Sequence, residues 1–242
     1  MVEQKDVQPL PLNDLFTQGM KLGGKVFKTL PVTFYIVTIA YFVTAFYVAR
    51  LFIPASFSDM ILTFVHLTYA FFTTAYVLQS MLRKTNRSSA EKKGGFYKAI
   101  PLLFVASMLY WVLFVIGMAI FIVPGLLFFL YFLLFPSIIV MERKSIFAAL
   151  KRSARLVRGS LLRVATIYAI FLGAQAFAIM MIAIVELSGS FLLTAFSVAI
   201  AHIIILPFQA SVLNVLYFDL RAEKEAFDYD VFRYEASRLQ TA

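Results

Sequence analysis

The chain has 242 residues, of which 62% are hydrophobic and only 14% charged, against roughly 45–50% apolar and 25% charged residues in soluble domains. That balance excludes a soluble globular domain and indicates an integral membrane protein. The absence of cysteine excludes disulfides, thiolate metal sites and cysteine nucleophiles. The net charge of +9 points to anionic phospholipid rather than nucleic acid, because the bases gather on one side of the expected spans.

The first thirty residues carry charges throughout and lack a compact apolar core before a small-residue cleavage site, so the first span is expected to serve as an uncleaved signal. Within residues 1–30, Asp14, Gln18, Lys21, Lys25 and Lys28 form a polar stripe opposite Leu12, Leu15, Gly19, Leu22 and Val26, which predicts a cytoplasmic amphipathic helix. Spans follow at 31–53, 58–82, 97–122, 125–141, 161–185 and 190–218, each near the ~20 apolar residues that cross a bilayer. Residues 99–141 contain no charge and reach roughly 65 Å as helix, enough for two crossings. A tight reversal is expected at Pro124-Gly125, where proline cannot continue a helix and glycine accepts positive φ.

Residues 145–158 place Lys151, Arg155 and Arg158 on one face and Ile146, Leu150, Ala154 and Val157 on another. This predicts an amphipathic interfacial helix started at Ser145 and stopped at Gly159. Residues 221–242 form the tail. The fold class is therefore an all-α, six-span membrane bundle with amphipathic helices. Of all the Lys and Arg residues only Arg50 falls on the far side, which predicts that both termini are cytoplasmic. The opening GKVFKTLP at 24–31 is echoed by GGFYKAIP at 94–101 and loosely by residues 159–163. A threefold hairpin repeat is one reading of this echo, and a base before every outward span, as topology alone demands, is the other.

Two groups of residues are candidates for function. Arg143, Lys144, Lys151, Arg152, Arg155, Arg158 and Arg163 follow one another without an intervening acid, a cationic collar for anionic headgroups or for a partner, with each base contributing about 1 kcal/mol near anionic lipid. A homo-oligomer or another membrane protein is the alternative partner. Within the spans, His66, Gln175, His202, Gln209 and Asn214 are polar groups that either line a transport path or bond helices together at about 0.6 kcal/mol each. Two histidines without an intramembrane carboxylate make a poor zinc site, so no metal or cofactor is implied. Glu142 and Glu186 fall at opposite faces, and no nucleophile elbow, phosphate loop or dinucleotide fingerprint occurs. The reading is a non-enzymatic lipid- or partner-binding protein, with a small transporter or channel as the alternative. Ala165, Ala169 and Gly173 add a small-residue stripe suited to close helix packing inside the bundle.

Val123-Pro124-Gly125, Pro136, the run Ala149 to Gly159, Pro207, the run Leu216 to Arg221, and Lys224-Glu225-Ala226-Phe227-Asp228 are together similar to the signature of YciC-like bacterial inner-membrane proteins. The same pattern resembles the membrane domain attached to some glycerophosphodiester phosphodiesterases. The resemblance implies a six-span helical fold in the bacterial inner membrane. Ala226 stands where many members have glycine. It implies no phosphodiesterase activity, because that activity belongs to a separate soluble barrel whose metal ligands have no counterpart in these 242 residues. Of the shared residues, Asp219 is expected to pair with Arg152 or Arg155, and Arg221 to extend into the headgroups.

Overall fold

The computed structural model describes residues 9–85 and 95–225. The described chain is helical: α1 (Leu12–Thr29), α2 (Val32–Phe52), α3 (Ala55–Thr85), α4 (Gly95–Ile120), α5 (Ile122–Phe132), α6 (Phe135–Glu142), α7 (Ile146–Val157), α8 (Leu161–Glu186) and α9 (Phe191–Glu225). Among the described residues six segments are long and apolar enough to cross a membrane: Val32–Phe52, Met60–Met81, Ala99–Ile120, Val123–Glu142, Leu161–Glu186 and Phe191–Lys224. The protein is a multi-pass membrane protein with these spans.

The reversal between the third and fourth spans is not made where expected. Phe121 is the residue that leaves helical space, with φ −158° and ψ 145°, while Pro124 and Gly125 already lie in the first turn of α5. Gly125 does not take positive φ; among the described glycines only Gly159 and Gly189 do. Its role is steric, because a Cβ on Gly125 would sit 2.6 Å from the backbone nitrogen of Met118, and one on Gly117 would sit 2.8 Å from the Gly125 Cα. The two glycines let the end of α4 and the start of α5 touch.

The fourth span is itself broken. Pro136 has no N–H, and its ring opposes the carbonyl four residues earlier, that of Phe132, where α5 stops. Leu134 then adopts φ −90° and ψ 0°, and α6 restarts with Pro136 in its first turn. The three echoed openings also differ locally. Residues 24–31 end α1 and break before Pro31, Pro101 lies inside α4, and Gly159 makes a φ +90° turn before α8.

α9 is the axis of the bundle. From Gln209 to Leu220 every residue is buried, enclosed by α1, α3, α7 and α8. α1 runs antiparallel to this half of α9: Leu10 meets Asp219, while a Cβ on Gly19 would lie 2.7 Å from the Cα of Val212 and one on Gly23 2.8 Å from the ring of Phe208. The small residues that bring helices together are thus Gly19 and Gly23. Ala169 and Gly173 of the expected stripe are exposed instead, and a Cβ on Gly173 would touch nothing within 4 Å.

Candidate functional site

One end of the bundle gathers the start of α1, the end of α6, all of α7, the start of α8 and the end of α9. α7 is amphipathic as its spacing predicts, and its apolar face is spent on the protein. Ala149, Leu150, Leu156 and Val157 are at most 5% exposed, packed against α5, α6 and α9. Ser145 occupies its N-cap position without a side-chain bond to the helix, and Gly159 turns the chain away from its end.

Three polar contacts hold α7 in this pose. The Ser153 hydroxyl donates to the Tyr131 carbonyl at 2.8 Å and accepts the Leu134 N–H at 3.2 Å, both of them backbone groups at the break between α5 and α6. Arg152 Nε donates to both oxygens of Glu142 at 3.1 and 3.2 Å. Glu142 also pairs with Lys144 at 2.9 Å and accepts the Tyr217 hydroxyl at 3.0 Å. Finally, the Lys224 ammonium donates to the Leu156 carbonyl at 2.6 Å and to the Arg158 carbonyl. A cation at the C-terminal end of a helix meets its unsatisfied carbonyls and the negative end of its dipole.

Asp219 pairs with neither Arg152 nor Arg155. Its Oδ2 lies 2.6 Å from Arg163 Nη1, a close ion pair made by proximity rather than hydrogen-bond alignment, and its Oδ1 accepts the Leu10 N–H at 3.0 Å. Arg163 also donates to the Leu10 carbonyl at 2.5 Å and has Glu223 at 3.8 Å. The preference is topological: Arg163 opens α8 beside the end of α9, whereas Arg152 is taken by Glu142. Arg221 does not extend into open headgroup space either. It is half-buried, with its guanidinium 3.4 Å from the Tyr217 hydroxyl one turn back. A cleft of about 450 Å³ lies beside the Asp219 pair, bordered by Pro9, Gly159, Leu162, Arg163 and Glu223.

The collar is therefore two populations. Lys144, Arg152 and Arg163 are bound to carboxylates inside the protein, while Arg143, Lys151, Arg155 and Arg158 are exposed. Phe147, 76% exposed, lies on the same outward stripe as Lys151, Arg155 and Arg158.

The intramembrane candidates fall into three separate hydrogen-bonded groups strung along α9. His202 Nδ1 donates to the Val198 carbonyl at 2.6 Å, which leaves its Nε2 to accept from Nδ1 of His66 on α3; this tautomer is assigned from the bonding pattern. Gln175 of α8 donates to Gln209 at 2.8 Å. Asn214 accepts the Ser137 hydroxyl at 2.7 Å and donates to the Thr74 carbonyl at 3.0 Å, tying α6, α9 and α3. At ~1.5 Å per residue, His202 and Gln209 are roughly 10 Å apart along the helix. Among the described residues no group of three or more His, Asp or Glu is placed to hold a metal ion.

At the other end of the bundle Arg50 approaches Glu186 at 3.4 Å and stacks on Phe46 at 5.5 Å. The ends of α2 and α8 therefore share that face. Ser153, Tyr217, Glu223 and Lys224 were not singled out as site residues by sequence reasoning. A serine on the buried face of an amphipathic helix was the available signal for Ser153. No family model, curated protein or solved structure matches the chain.

Proposed function

We propose that this is a non-enzymatic bacterial inner-membrane protein of the YciC-like family that binds anionic phospholipid headgroups, with its basic end and both termini in the cytoplasm. One observation carries the reading: α7 has its apolar face locked into the bundle and turns Lys151, Arg155 and Arg158 outward beside an exposed Phe147. A helix whose hydrophobic face is already buried has no apolar stripe left for lipid. Its cations and one aromatic are what remain to meet the headgroup layer. The orientation follows from the charge asymmetry, since Arg50 alone among the bases falls on the far side of the expected spans and basic loops stay cytoplasmic.

The transporter reading requires the polar groups of α9 to join into a path. Their mutual hydrogen bonds instead support a role as interhelical ties, and the binding reading is preferred for that reason. The test is native mass spectrometry of the intact protein extracted from membranes containing phosphatidylglycerol. With about 1 kcal/mol per base, the double substitution Arg155→Gln/Arg158→Gln lowers retention of anionic lipid roughly thirtyfold at unchanged thermal stability. Retention equal to that of the parent chain rules the reading out.

A further inference from the structure

The outward stripe of α7 has a candidate occupant within the chain itself. Lys151, Arg155 and Arg158 are exposed with Phe147 at the far end of the same stripe, and no acid occurs between Arg143 and Arg163. The chain leaves the described structure immediately beside this stripe. Lys224 reaches the Leu156 and Arg158 carbonyls, so α9 ends within one lysine side chain of the C-terminus of α7. Beyond Lys224 the chain carries Glu225, Phe227, Asp228, Tyr229, Asp230 and Phe232, with no base before Arg233. An acidic and aromatic sequence thus follows a helix that ends beside a basic and aromatic stripe.

The lengths agree. At about 3.3–3.6 Å per extended residue, Asp228 and Asp230 come within roughly 14 and 20 Å of Lys224. Arg158 to Lys151 spans roughly 10 Å of helix, and Arg158 to Phe147 roughly 16 Å. These reaches exceed the length of the stripe, so the chain is long enough for both acids to meet Arg155 and Lys151 and for Phe232 to meet Phe147. A connection this short also makes the contact intramolecular, at millimolar effective concentration.

We propose that residues 226–235, which lie outside the described part of the structure, dock on the outward stripe of α7, and that anionic lipid competes with them for it. The competition rests on the headgroup reading of that stripe; the docking does not.

The absence of cysteine permits a direct test in the full-length protein. Ala148 is exposed on the outward face of α7, and Val231 lies between Asp230 and Phe232, so Ala148→Cys/Val231→Cys leaves every charge in place. In phosphatidylcholine nanodiscs, with dissolved oxygen and a copper catalyst as the oxidant, an intrachain disulfide forms, identified by peptide mass. Its rate falls about fivefold when Asp228→Asn and Asp230→Asn are added, the size expected from losing two exposed ion pairs. A disulfide only between chains assigns the stripe to a second copy and overturns the docking, as does a rate indifferent to the Asn substitutions. Exchanging part of the phosphatidylcholine for phosphatidylglycerol slows the reaction by a similar factor where lipid competes. A charge-dependent intrachain disulfide that phosphatidylglycerol leaves unchanged keeps the docking and refutes the headgroup reading.

Discussion

The two halves of α9 carry large apolar side chains alike and have opposite surroundings. From Gln209 to Leu220 the helix is buried on every side, whereas Leu192, Leu193, Phe196, Ile200 and Ile204 in the first half are each at least 39% exposed. In water the exposed set would collapse inward, but in a bilayer lipid tails are as apolar as leucine and no hydrophobic force draws helices together. What separates the halves is therefore polar bonding and close contact. The buried half carries Gln209, Asn214 and Asp219, each with a partner on another helix, and receives the glycine face of α1. The lipid-facing half has the histidine contact to α3 as its main polar tie. The difference identifies the basic end as the part of the molecule where helices are bonded and packed most closely.

The largest disturbance of this contrast is expected from Asp219→Ala. It leaves Arg163, 15% exposed, without its main counter-ion, and breaking a buried pair from one side costs about 3–5 kcal/mol. Glu223 at 3.8 Å takes up part of that charge, and the Leu10 N–H also loses its acceptor. Thermal unfolding in detergent measures the loss, and early proteolysis near residue 10 would show that α1 is released first. A change below about 1 kcal/mol would remove the pair from the contacts that hold this end together. The contrast is sharpened by one chemical change made in both halves. Leu216→Ala, at a fully buried position, is expected to lose about 2–5 kcal/mol through the cavity it leaves. Leu193→Ala, 51% exposed, is expected to change stability by less than about 0.5 kcal/mol. Equal losses at both positions would mean that lipid and protein surround α9 alike.

The existence and approximate limits of the spans were legible because the bilayer dictates a run length: the expected 31–53 and 161–185 became Val32–Phe52 and Leu161–Glu186. The amphipathic helices were legible from the stripe of Lys151, Arg155 and Arg158 and from that of residues 12–28. The sequence did not reveal which way each face turned, since Leu216 toward protein and Leu193 toward lipid are the same residue to any pattern. Pairing was hidden for a related reason. Asp219 can be read as meeting any base of the collar, and only the packing of α8 against α9 selects Arg163. Gly19 falls on an apolar stripe of the sequence, and Gly19 and Gly23, four residues apart, carry the spacing for close helix contact. Pro124 has the residue type of a breaker, yet Phe121 makes the turn, because a proline in the first turn of a helix is harmless.

Pro136 is the instructive opposite, a proline that does break its helix. It ends α5 at Phe132 and leaves the Tyr131 carbonyl and the Leu134 N–H to be satisfied from outside. Both go to the single hydroxyl of Ser153, which is fully buried, with no water-filled loop implied at that depth. Non-helical backbone inside a membrane is tolerated where protein supplies such partners. α7 is thus more than a carrier of charges; it completes the fourth span. Ser153→Ala removes both bonds and leaves two buried backbone groups unpaired, a loss of about 1–3 kcal/mol. Ser153→Thr keeps the hydroxyl and is expected to retain most of the stability if its methyl group is accommodated. Amide exchange read at Leu134 and along α7 gives the diagnostic result: the alanine variant should expose both together. Faster exchange at Leu134 with α7 still protected would show that its apolar face, Glu142 and Lys224 hold the helix without Ser153. The outward stripe would then be positioned by packing and ion pairing rather than by the Ser153 hydroxyl.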